Sequence, residues 1–146
     1  MTHVLSLSYG KDSLACLGAC KLLGYPIDRV IHAEVWATDT IPADLPPMVE
    51  FKAKADRIIK ERYGLTVEHI YAKSKGTLEK LTYESIFYRP LKKRKVERER
   101  IYGFPMLKGN WCTSDLKQRA LQRNGLNIAP GNSKSRVFRQ LPCTRS

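Results

Sequence analysis

No apolar run in the chain approaches the roughly 20 residues that a membrane-spanning helix needs, so a membrane partner is not expected. Acidic residues are scarce, at 14 Asp+Glu against 26 Lys+Arg, and the net charge is +12. That imbalance disfavours basic partners and suits polyanions, either nucleotide phosphates or nucleic acid. The four cysteines, Cys16, Cys20, Cys112 and Cys143, form no C-x-x-C pair. With only three histidines, no His/Cys/carboxylate cluster has zinc spacing, so no metal site is expected. A signal peptide is not expected either. Thr2 and His3 lead straight into a short apolar run that Asp12 interrupts, which makes the cytoplasm the default location and a disulfide framework unlooked for. No internal repeat and no clear second domain appears.

The 146 residues are enough for one domain with a real core, and 42% apolar against 27% charged residues reads as globular. His3 to Ser8 reads as a strand bounded by Gly10. Asp12 to Leu23 has a broad apolar face and stops at Gly24 and Pro26, so it reads as a helix. Cys16 and Cys20, four apart, fall on one side of it and are expected to pack as small hydrophobes. Arg29 to Ala37 is a second strand with His32 in its core, Asp39 to Pro47 a proline-rich loop, Met48 to Tyr63 a second helix and Leu65 to Tyr71 a third strand. This alternation is the signature of a parallel α/β sheet. Further on, Thr77 to Tyr88 suggests a helix with Leu78, Leu81 and Ile86 inward. Ser114 to Asn124 suggests another, with Ser114 as N-cap and Gly125 as stop. Arg136 to Leu141 reads as a short strand. His3 and His69 stand alone and point to nothing.

The loop between the first strand and first helix carries the most chemistry. In a parallel sheet, ligands bind at the carboxyl edge of the strands. A helix start there offers unpaired N–H groups and the positive end of a dipole. Gly10 lets the backbone approach an anion, Ser8 and Ser13 add hydroxyls, and Lys11 adds a charge. The bland alternative is a strand-to-helix turn in which Asp12 or Ser13 merely caps a helix.

Ser8-Tyr9-Gly10-Lys11-Asp12-Ser13 resembles the S-G-G-K-D-S loop of the PP-loop family, which includes ATP pyrophosphatases and phosphoadenosine phosphosulfate (PAPS) reductases. It is not the Walker A pattern, which has a longer glycine-spaced loop. Thr38-Asp39-Thr40 after the second strand resembles the Asp-Thr-Gly segment of PAPS reductases. Cys112 to Lys117 resembles their Cys-then-Lys segment, and Tyr102-Gly103-Phe104-Pro105 is similar to small PAPS-reductase-like proteins of bacteria and phages. The resemblance spans about residues 2–125. It implies a HUP-type, Rossmann-like sheet of three to five parallel strands flanked by helices. It also implies one PP-loop domain over 1–146, with an irregular basic insertion at about 87–111 and a diverged tail at about 126–146. The ligand it implies is an adenine nucleotide, ATP or PAPS, with Mg²⁺ neutralising the phosphates in the ATP case.

The site residues implied for the nucleotide are Ser8, Tyr9, Gly10, Lys11, Asp12, Ser13, Asp39 and Lys117, with Lys108 a further lysine able to meet an anion. The catalytic candidates are Lys11, Asp39 and Cys112. Asp39 reads equally as a group positioning ribose, metal or nucleophile and as a loop-capping carboxylate. Cys112 reads as a nucleophile at a helix start or as a buried structural thiol. Tyr9 stands where the family has its first glycine, and is expected to keep extended dihedrals with its ring aimed away or stacking. The reductases' Glu-Cys-Gly tail has no counterpart around Cys143, and the Cys-Cys and C-x-x-C pairs of iron–sulfur relatives are absent, so no iron–sulfur cluster is expected.

Two function classes follow. One is an enzyme of nucleotidyl or sulfonucleotide chemistry. The other is a catalytically inactive, phage-type accessory protein that kept the nucleotide loop and binds nucleic acid or a host protein. The run Lys92, Lys93, Arg94 and Lys95, flanked by aromatics, is the nucleic-acid candidate in the second class. The sequence leaves homo-oligomerisation open.

Overall fold

A computed structural model of the chain describes residues 3–74, 76, 78–90, 101–105 and 110–124. Lys92, Lys93, Arg94, Lys95, Lys108, Cys143, the suggested strand at 136–141 and the whole tail lie outside these residues, as does much of the 87–111 segment.

Among the described residues, three strands form one parallel sheet in the order β1-β2-β3. β1 is Val4–Ser6, β2 Arg29–Glu34 and β3 Val67–Tyr71. The register pairs Leu5 with Val30, and His32 with His69. Helix α1, Lys11–Leu22, joins β1 to β2, and α2, Pro46–Tyr63, joins β2 to β3. Short α3, Tyr83–Phe87, follows. A π-helical stretch, Cys112–Gln118, then runs into α4, Arg119–Arg123. The architecture is α/β, as the alternation of elements implies.

The pleat explains the layers, because alternate side chains of a strand point to opposite faces. Leu5, Leu7, Val30 and Val67 meet Leu17 of α1 and Ala55 and Ile59 of α2. Ile31, with Val4, Ala33 and Ile70, meets Leu121 of α4 on the other face. Trp111, Leu116, Ala120, Ile86 and Leu81 extend that second layer. Cys20 is buried and Cys16 half-buried on α1, as their spacing suggests. Both faces of β2 are covered, as a parallel sheet requires.

Several boundaries differ from the sequence expectation. Helix α2 starts at Pro46, two residues before Met48, because prolines at the first helical positions forgo N–H groups that would have no partner anyway. β2 stops at Glu34, since a Trp36–Pro42 bridge turns the chain into a closed loop. The third helix begins only after Thr82, and Leu78 is 72% exposed at a positive φ of 57° rather than packed inward. Ser114 is not an N-cap. Trp111 holds that place, and the Ser114 hydroxyl donates to the Trp111 carbonyl at 3.4 Å.

Candidate functional site

The loop from Ser8 to Gly10 leaves the carboxyl end of β1 and enters α1. Gly10 is the N-cap residue, with extended dihedrals and no side-chain cap bond, and among the described residues no side chain takes up the first N–H groups of α1. The Ser13 hydroxyl donates to the Gly10 carbonyl at 2.9 Å, accepts the Ser8 N–H at 3.3 Å and lies 3.1 Å from the Ser8 hydroxyl. Lys11 and Asp12 are exposed in the first turn. Five of the six loop residues therefore gather around one helix start. The space at Gly10 is moderate: a Cβ there would meet Ser8 Oγ at 3.5 Å.

Tyr9 departs from the expectation of extended dihedrals. Its φ is +58°, a left-handed conformation that costs an L-residue roughly 1–2 kcal/mol. The residue is 3% exposed and its side chain runs inward. The phenol donates to Asp56 Oδ1 of α2 and lies 3.3 Å from Nε2 of His69 on β3. Burial first, then the bond to Asp56 and its charge, push the phenol far above the usual tyrosine range, so it stays a donor.

A polar network extends from this contact. His69 Nε2 is 2.8 Å from Asp56 Oδ2, and its Nδ1 is 2.8 Å from Glu34 Oε1. Beside it, His32 places Nδ1 2.8 Å from the Leu7 carbonyl and Nε2 2.8 Å from Lys52 Nζ, which is also paired with Asp44. This pattern fits a neutral His32 that donates from Nδ1 and accepts from lysine. Burial, with the Lys52 charge adding, lowers the His32 pKa, whereas the Leu7 bond opposes the shift. The Tyr9 and His32 rings meet edge to face at 4.7 Å. Glu34, Asp44, Lys52, Asp56 and His69 border a cavity of about 250 Å³ whose remaining wall includes Trp36, Pro42 and Val49.

Sequence reasoning missed this cluster. It read His69 as pointing to nothing and singled out no role for Asp56. The available signal was weak: a carboxylate among the apolar positions of a helix, and histidines in two neighbouring strands.

The other candidates are placed as follows. Asp39 is exposed at the tip of the loop closed by the Trp36–Pro42 bridge, and its backbone carbonyl accepts Lys80 Nζ at 3.0 Å. The carboxylate makes no cap there; Thr38 Oγ1 takes the Ile41 N–H instead, at 3.1 Å. Cys112 is half-buried in the first turn of the π-helical stretch and packs against the layer containing Trp111 and Leu116. Lys117 is exposed near the end of the same stretch. Among the described residues, no group of three or more His, Cys, Asp or Glu side chains is arranged to hold a metal ion.

No protein-family model, curated protein or solved structure matches this chain.

Proposed function

We propose that the chain binds an adenine nucleotide, ATP or PAPS, with its phosphates at the Ser8–Ser13 loop, in a HUP-type domain related to the PP-loop family. The observation that carries the proposal is the start of α1. It follows a parallel strand directly and has no side-chain cap, and two serine hydroxyls and an exposed lysine stand around it. Unpaired N–H groups, the helix dipole and Lys11 together suit an anion. In the ATP branch a substrate oxygen attacks the α-phosphate and pyrophosphate leaves, and the loop serves by holding and orienting the phosphates. Mg²⁺ in that branch would arrive on the nucleotide and supply charge neutralisation. Asp12, exposed in the first turn of α1, is a carboxylate available to it.

Titration calorimetry with ATP and with PAPS tests the proposal, on the parent and on Lys11→Ala. Binding by the parent and about tenfold weaker binding by the variant are expected, the loss typical of a charge-assisted contact. Absence of binding, or equal affinity in both proteins, defeats the proposal.

A second reading, nucleic-acid binding, has one observation in its favour. Lys73 and Lys80 each place Nζ 5.5 Å from the Tyr71 ring centre, Lys80 lies 3.4 Å over Trp36, and Arg123 donates to the Lys73 carbonyl. Bases stack on aromatic rings and phosphates pair with lysines on such surfaces. Under this reading, log affinity for single-stranded DNA falls linearly with log salt, and Lys73→Ala with Lys80→Ala flattens the slope.

A further inference from the structure

We infer that Tyr9 is a positioning residue: its phenol, held by Asp56 and His69, fixes the left-handed backbone of the Ser8–Ser13 loop and so sets the direction of the N–H groups that open α1. The consequence for ligand binding rests on the nucleotide reading above; the tether itself does not.

A tyrosine at φ +58° is sterically disfavoured, and such a residue persists only where the surroundings over-determine it. Those surroundings are visible here. Asp56 comes from α2, His69 from β3, and Glu34, which holds the far nitrogen of His69, from β2. Besides the bonds within the loop made by Ser13, Tyr9 thus ties it to α2 and β3 directly and to β2 through His69. The ring has no room to swing away, because His32 meets it edge to face at 4.7 Å and Lys52 Nζ lies 5.5 Å from its centre. A glycine in this place reaches the same φ without strain, yet gives the loop no hold on the core. A tethered loop presents its N–H groups already oriented, and less freedom is lost when an anion arrives.

Two measurements on the full chain decide this. The first is amide hydrogen exchange over residues 8–14 of the unliganded protein, with β2 as internal reference. Tyr9→Phe removes only the donor, Tyr9→Gly removes the tether but relieves φ, and Asp56→Asn retains an acceptor for the phenol. Exchange over 8–14 is expected to quicken about tenfold in the first two variants, the loss of one hydrogen bond to a charged acceptor. In Asp56→Asn, which keeps a neutral acceptor, the rise should be smaller than in the Tyr9 variants, and β2 should be unchanged throughout. Unchanged exchange in both Tyr9 variants, or an equal rise in β2, overturns the inference. The second measurement is affinity for ATP and for inorganic pyrophosphate. Both should weaken by a similar factor in Tyr9→Phe and Tyr9→Gly, with a smaller loss in Asp56→Asn. Equal affinity in parent and Tyr9 variants overturns the positioning role. A parent that binds neither probe defeats the nucleotide reading, while the exchange data still decide the tether.

Discussion

Lys52 Nζ lies 2.8 Å from His32 Nε2, and both residues are buried, with Lys52 8% exposed. A lysine donating to a histidine needs that histidine neutral. The arrangement makes the fold sensitive to acid. In the unfolded chain His32 takes a proton near its ordinary pKa of about 6.5; in the folded chain burial defers protonation to lower pH. Between those values the unfolded state holds more protons, so stability falls as pH drops below about 6.5. His32→Asn keeps a donor for the Leu7 carbonyl and removes the titration. Thermal melts at about pH 7.5 and about pH 5.5 should show a larger drop in midpoint for the parent than for the variant. Equal drops would show that His32 does not contribute.

Gly10 separates folding from binding. Its dihedrals are ordinary for any residue, and a Cβ would meet Ser8 Oγ at a comfortable 3.5 Å. Gly10→Ala should therefore leave the melting midpoint within a degree or two of the parent, as for a substitution without strain. A phosphate seated against the backbone would feel the methyl group, so affinity for ATP should fall in the same variant. Calorimetry and a thermal melt on one sample check both halves.

Thr82 opens α3 with a reciprocal cap. Its hydroxyl accepts the Ser85 N–H at 3.1 Å, and the Ser85 hydroxyl accepts the Thr82 N–H at 3.0 Å. Thr82→Ala should cost about 1 kcal/mol in urea unfolding, while Thr82→Ser should cost clearly less because the cap survives.

Ile86, on the same helix, is fully buried and packs in the layer with Trp111 and Leu116. Ile86→Ala leaves a hole there. Unfolding free energy should drop by about 2–5 kcal/mol, with Ile86→Val costing about 0.5–1.5 kcal/mol. A loss below that range for the alanine variant would mean that the layer collapses to fill the space.

The sequence by itself determined the alternation of strands and helices and the parallel sheet, and it put the start of α1 at Asp12, one residue after the Lys11 of the structure. These follow from signals carried within a few residues: alternating apolar positions, Gly24 and Pro26 as stops, and a glycine before a helix. It missed the start of α2 because a proline pair serves as loop or as first helical turn equally well. Only the tertiary structure decided the conformation of Tyr9 and the roles of Asp56 and His69. The phenol lies 47 residues from Asp56 and 60 from His69, and nothing local marks those partners. Local sterics favour an extended Tyr9; the left-handed backbone prevails because the folded core supplies hydrogen-bond partners and ring contacts that hold it there.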